Sequence, residues 1–345
     1  MGRSITREED YRPRPSRRGS RPRTKRRPDY ADAVPGVVVS VDRGRFRVVP
    51  GTDLATASAD APVLTCVRAS HLRKRSIVPG DRVTMTGDTT GADGTLARIV
   101  TVAERTTVLR RSSDDTDPTE RVVVANADTL VVVTATADPE PSWGFLDRTA
   151  VAALDVGISP LIAVTKTDLR SAAEVHDRFA DVDVEIVECG FGADGRPRID
   201  ALLPHLVERQ SVLLGHSGVG KSTLINRLVP GADRATGEVS ESSGTGRHTS
   251  SSTWALPLPQ GGWVIDTPGV RSFGLAHVDP DSVVAAFAEL APATADCPRG
   301  CTHAAGAIGC ALDAWVEDGH AGSSGARRLD SLRRLLGSLS RTAGP

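Results

Sequence analysis

Three loop motifs stand in this chain in a rotated order, and that order restricts its fold more than any composition does. Thr165-Lys166-Thr167-Asp168 comes first. Gly215-His216-Ser217-Gly218-Val219-Gly220-Lys221-Ser222-Thr223 follows, and Asp266-Thr267-Pro268-Gly269 comes last. The second run is a phosphate loop, whose glycines let backbone amides curl around phosphates at the positive end of the next helix. The first reads as a guanine-recognition loop and the third as a γ-phosphate switch. A guanine-nucleotide domain ordinarily runs phosphate loop, switches, base loop. Keeping every part while moving the base loop to the front implies a circularly permuted GTPase domain.

Each motif assigns chemistry to named residues. Lys221 is expected to reach the β- and γ-phosphates, and the Ser222 hydroxyl to ligate Mg²⁺. Asp168 would accept hydrogen bonds from the guanine N1–H and N2 amine, a donor pair that adenine lacks. The stem of Lys166 would cover the base plane. Thr165 stands where Asn is usual, a change that bears on a hydrogen bond bracing this loop. Asp266 would hold Mg²⁺ through water, and the Gly269 amide would sense the γ-phosphate. Val270 follows where many such proteins have a water-orienting Gln. The water must then be placed by another group, and the Ser/Thr/Gly-rich segment 240–253 offers His248. An RNA-contacting or loop-packing histidine is the competing reading. Thr249 is the expected further Mg²⁺ ligand, with Ser250 the alternative.

The flanks differ in texture. Residues 1–30 hold eleven Lys/Arg against four Asp/Glu, and such a tract cannot bury apolar surface. The tail, taken as 1–32, is read as disordered, either simply solvated or lying along nucleic-acid phosphate. An Arg-rich transit peptide fits less well, because Glu8, Glu9 and Asp10 interrupt it. Five short strand-like runs follow, at 37–41, 45–49, 63–67, 81–85 and 97–102, with no helical period. They predict an OB-fold β-barrel over 33–110. His71-Leu72-Arg73-Lys74-Arg75 puts charge on one of its loops. Phe46 is the one aromatic there, so RNA would be bound through phosphate and shape or, on the plainer reading, the barrel is a spacer. A polar stretch between Ser112 and Glu120 reads as a linker. Beyond it, apolar runs at 129–134, 161–165, 184–187, 211–215 and 263–266 alternate with helix-compatible segments, predicting a mostly parallel α/β sheet over 111–278. Its ligand loops should leave the carboxyl ends of strands.

Over 279–345 a helical module is expected. Cys297, Cys301, His303 and Cys310 make three thiolates and an imidazole, the donor set of a closed structural Zn²⁺ site. Cys66 and Cys189 stand apart and read as small core residues. Leu329, Leu332, Leu336 and Leu339 share one face of a final helix. Its Arg327, Arg328, Arg333 and Arg334 are expected either to face RNA or to be simply solvated. With no apolar run of membrane length, no secretory signal and few cysteines, the expectation is a cytoplasmic protein without a membrane partner.

Taken together, these motifs resemble RsgA (YjeQ/YloQ), the bacterial GTPase family dependent on the small ribosomal subunit. The resemblance covers about residues 33–340 and includes Gly246-Arg247-His248-Thr249 and Arg271-Ser272-Phe273-Gly274. It implies a multidomain chain: an N-terminal OB-fold β-barrel, a central circularly permuted P-loop GTPase domain and a C-terminal helical zinc-binding module. It also implies a monomeric late-maturation factor that binds the small (30S) subunit and its 16S rRNA. GTP hydrolysis with Mg²⁺, stimulated by the subunit, releases the factor as GDP forms, and His248 assists hydrolysis. The second base-side loop falls near Glu188-Cys189-Gly190, where the family's Ser-Ala pair is missing. Two other readings are a GTPase with a different ribosomal or RNA client, and a non-hydrolysing nucleotide-gated RNA-binding module.

Overall fold

Alternating burial builds the first body. In the computed structural model, which describes residues 30–112, 120–232, 253–267 and 278–340, five strands close into a barrel: β1 (Val34–Asp42), β2 (Arg45–Pro50), β3 (Leu64–Arg68), β4 (Arg82–Gly87) and β5 (Ala97–Val102). Along β2, Phe46 and Val48 turn inward while Arg45 and Arg47 stay outside, the period of two that a half-buried strand requires. β1 pairs with both β2 and β4, and β3 runs parallel to β5, which leaves the barrel without a free edge. Val38, Leu64, Cys66, Met85 and Ile99 fill it. Residues 1–29 of the tail, His248, Thr249 and Gly269 lie outside the described residues.

The second body is the α/β sheet. β8 (Thr129–Ala135), β9 (Ser159–Thr165), β10 (Glu185–Glu188), β11 (Gln210–Gly215) and β13 (Trp263–Asp266) are parallel in the order β10-β9-β8-β11-β13. β8 is buried at all seven positions, as a central strand covered on both faces must be. α1 (Trp143–Asp155), α2 (Ala173–Phe179) and α3 (Lys221–Leu228) supply the cover.

Two connections were not legible beforehand. The short strand β12 (Trp254–Pro257) lies antiparallel to β13 and meets β1 at Ser40↔Trp254, so barrel and α/β sheet share one hydrogen-bonded array. β6 (Val108–Ser112) and β7 (Glu120–Ala125) pair antiparallel as a two-stranded sheet of their own. Residues 113–119, read as a linker, lie outside the described residues, and the expected 110/111 boundary falls within β6. Asn126, after β7, accepts from the Thr106 amide at 2.8 Å and donates to the Gly80 carbonyl at 2.7 Å.

The C-terminal segment is helical: α4 (Pro280–Ala285), α5 (Leu312–Glu317) and α6 (Gly325–Ser340). Leu329, Leu332, Leu335 and Leu336 of α6 are buried, in one cluster with Phe145, Leu146 and Phe179 of the α/β body. Arg328, Arg333 and Arg334 are part-buried in ion pairs rather than solvated, while Arg327 is exposed. Arg334 pairs with Asp147, Arg328 with Asp183 and Glu289, Arg327 with Asp181, and Arg333 with Asp313. Among the described residues no helix is long and apolar enough to cross a membrane.

Candidate functional site

The three motif loops leave the carboxyl ends of β9, β11 and β13, at one edge of the parallel sheet. That is where ligands of open α/β sheets bind. Gly218 and Gly220 adopt φ of 84° and 87°, values that L side chains rarely tolerate. The turn they make delivers the chain into α3, where Lys221, Ser222 and Thr223 form the first turn and Leu224 N–H bonds the Gly220 carbonyl at 3.0 Å. Ser217, Gly218, Ser222 and Thr223 are exposed, while Val219 is anchored in the core at 4% exposure. The His216 ring packs against Phe145 of α1, centroids 4.3 Å apart.

Two contacts tie the loops together. Lys221 Nζ forms an ion pair with the Asp266 carboxylate, joining the phosphate loop to the third motif. Thr165 is 6% exposed, and its hydroxyl lies 2.6 Å from the Val219 carbonyl and 3.1 Å from that of Thr134. The substitution of Thr for Asn therefore still bridges base loop and phosphate loop. Thr267, next to Asp266, donates to Leu213 in β11 at 2.9 Å.

Lys166 takes φ 56°, and its carbonyl accepts from Thr136 at 2.7 Å. Its ammonium reaches the Asp138 carbonyl. The segment after β10 closes on the base loop: the Phe191 amide donates to Asp168 Oδ1 at 3.1 Å, and Cys189 N–H bonds Val164 at 2.7 Å. A Cβ on Gly190 would stand 2.2 Å from Thr167 Oγ1, so the close approach needs glycine there. The Gly190 and Phe191 contacts carry no local sequence signal, because they depend on two strands lying in register.

Cys297, Cys301, His303 and Cys310 bring their ligand atoms within 4.8 Å of one another. His303 Nδ1 lies 3.7 Å from the sulfurs of both Cys297 and Cys310. Its Nε2 lies 2.6 Å from Asp281 Oδ1, which leaves Nδ1 as the nitrogen that faces the cysteine sulfurs. His303 is fully buried and holds φ 53°, a strained conformation for a residue with a Cβ. Burial, then its thiol neighbours Cys301 and Cys297, push the Cys310 thiol up to about 11. Three sulfurs and one imidazole nitrogen gathered this closely match the closed tetrahedral donor set of a structural Zn²⁺ site. Asp281 was not foreseen, although Asp279-Pro280 is a legible helix start: the Asp279 side chain caps α4 by accepting from the Asp281 amide. Cys66 and Cys189 are raised to about 12, chiefly by burial, and are neutral core thiols.

A family model described as RsgA GTPase matches residues 102–276. The chain is 33% identical to a "Small ribosomal subunit biogenesis GTPase RsgA" of Nitrosospira multiformis, over 88% of this chain and 93% of the relative. A Vibrio vulnificus protein, "Small ribosomal subunit biogenesis GTPase RsgA 1", is 35% identical over 79% of this chain and 78% of its own length. Among solved structures, YjeQ from Thermotoga maritima aligns with a TM-score of 0.58 at 25% identity, covering 88% of this chain and 99% of that one. YloQ, described as a circularly permuted GTPase, aligns with a TM-score of 0.59 at 22% identity, covering 91% and 96%.

Proposed function

The chain belongs to the RsgA GTPase family, and on that premise we propose that it hydrolyses GTP on the small ribosomal subunit during that subunit's late maturation. The observation that carries this reading is the convergence of Thr165, Lys221 and Asp266 at one edge of the sheet, through the Thr165–Val219 and Lys221–Asp266 contacts. A base loop and a phosphate loop held at fixed spacing grip both ends of one nucleotide.

In this reading Asp168 accepts from the guanine edge, Lys166 covers the base and Thr167 packs the loop against Gly190. The amides of Gly215, His216, Ser217, Gly218, Val219 and Gly220 surround the phosphates, with Lys221 and Thr223 at the start of α3. Ser222, Thr249 and Asp266 would hold Mg²⁺, which when bound neutralises charge across the phosphates. Ser222 and Asp266 suit that role, flanking Lys221 as a hydroxyl and a carboxylate. Gly269 senses the γ-phosphate. His248 orients the attacking water, because Val270 has no group to do so. The reading is also that Cys297, Cys301, His303 and Cys310 hold one structural Zn²⁺.

The factor acts as a cytoplasmic monomer on 16S rRNA, without a membrane partner. The barrel grips phosphate: Arg73 and Lys74 are exposed, while Phe46 is buried and cannot stack on a base. Loss of γ-phosphate acts through Gly269 on the chain leading to α4 and the metal module, loosening the grip. Turnover measured with each purified ribosomal subunit in turn tests this. Strong stimulation by small subunits supports it, peak turnover with large subunits sinks it, and no stimulation by either favours a non-hydrolysing module.

A further inference from the structure

Between α1, α2 and α6 lies a cavity of about 330 Å³ whose charges do not balance. Three guanidiniums, Arg148, Arg178 and Arg334, line it beside a single carboxylate, Asp147. Asp147 is 4% exposed and already accepts from both Arg178 and Arg334. Arg148 has no hydrogen bond or ion pair among the described residues. Among the described residues, the wall therefore keeps a positive excess that no residue beside it neutralises. Burial, with the Arg178 charge adding to it, pulls Arg334 below its ordinary pKa against the opposing effect of Asp147.

The cavity also has room and an apolar side. Gly337, inside α6, lines it, and a Cβ there would meet nothing within 4 Å. An interior helix glycine costs about 1 kcal/mol relative to alanine, so an alanine would be the stabler choice for α6 alone. The Arg178 guanidinium lies 5.1 Å from the centre of the Trp143 ring, stacking cation on aromatic at the cavity wall.

We propose that this cavity is a phosphate-binding site separate from the nucleotide loops, taking the phosphate of a small nucleotide or of an RNA linkage. The fork of a guanidinium matches phosphate oxygens two at a time, which lysine cannot do. The volume exceeds that of one phosphate and lies at the small end of ligand pockets, leaving space for an attached sugar. Its position gives occupancy a consequence. Trp143 begins α1, whose Phe145 packs on His216 of the phosphate loop, while Arg334 belongs to α6. A phosphate here would bind the final helix more tightly to the helix that backs the phosphate loop.

The test uses the full chain saturated with GDP and Mg²⁺, so that the nucleotide loops are occupied. AMP, which the base loop is not built to accept, and an RNA hexamer lacking terminal phosphates are titrated separately, reading tryptophan fluorescence and calorimetric heat. Saturable one-to-one binding of either probe, weakened tenfold or more by Arg148→Glu and by Gly337→Leu, supports the site. AMP alone points to a free nucleotide, and the hexamer alone to an RNA linkage. Arg148 has no internal ion pair to lose, so R148E should keep the wild-type melting temperature. Binding of neither probe, or equal binding by wild type and both variants, overturns the proposal.

Discussion

The Thr165 hydroxyl donates to the Val219 carbonyl at 2.6 Å, fastening the base loop to the phosphate loop across 54 residues of sequence. This bond does the bracing expected of an asparagine, with one hydroxyl in place of an amide. Thr165→Val keeps the shape and removes the donor, leaving a buried carbonyl short of a partner. The expected cost is about 1–2 kcal/mol, seen as a lower melting temperature and a roughly tenfold weaker GDP affinity. Thr165→Ser, which keeps the donor, should lie near wild type in both measurements.

In the proposed reading, base choice rests on a different atom pair. Asp168 Oδ1 accepts from the Phe191 amide, a contact that restrains the carboxylate. Asp168→Asn keeps an oxygen for Phe191 but offers an amide donor where guanine also donates. Affinity for GDP should fall about a hundredfold, since a site built to hydrogen-bond one pattern rejects its opposite strongly. Xanthosine diphosphate, which carries an acceptor at that edge, should bind the variant better than GDP does. Fluorescent-nucleotide competition measures both.

The motif loops were legible because each is a contiguous run whose chemistry is local, and the barrel because short alternating strands need no distant partner to announce themselves. Pairings across the chain were not. β6 and β7 flank a polar stretch, and nothing local in either says that the two pair with each other until their register is known. The arginines of α6 looked like a solvent or RNA face because their carboxylates lie far away in sequence, 187 residues for Arg334–Asp147 and 145 for Arg328–Asp183. Helical periodicity identifies the apolar stripe but says nothing about what the flanking charges meet. The same limit hid Asp281, whose partner His303 is 22 residues on.

His248 is assigned to water orientation by residue chemistry, and its role separates cleanly from binding. His248→Ala should bind GDP and GTP as wild type does, because the contacts assigned to base and phosphates belong to other residues. Turnover stimulated by small subunits should fall by about 10²–10³, the range for losing a positioned proton-handling group. Single-turnover hydrolysis on purified subunits reads this directly. Stimulated turnover that survives the substitution returns His248 to a packing or RNA-contacting role.

Asp281 stands beside the Cys297, Cys301, His303 and Cys310 cluster: α4 begins at Pro280, and its second residue bonds the fully buried His303. The carboxylate fixes which imidazole nitrogen faces the thiols, and in the proposed Zn²⁺ site it would strengthen that nitrogen as a ligand, an outer contact whose loss typically weakens metal affinity about 10–100-fold. Asp281→Asn should therefore lose Zn²⁺ to a chromogenic chelator at lower chelator concentration than wild type. His303→Ala, which removes the ligand itself, should fall further and loosen the packing of α6. The two differ in rescue. Excess Zn²⁺ should restore the thermal stability of the Asp281 variant, because all four ligands remain, but should not restore that of the His303 variant. Failure of zinc to rescue Asp281→Asn would mean that the carboxylate acts on α4 packing rather than through the histidine.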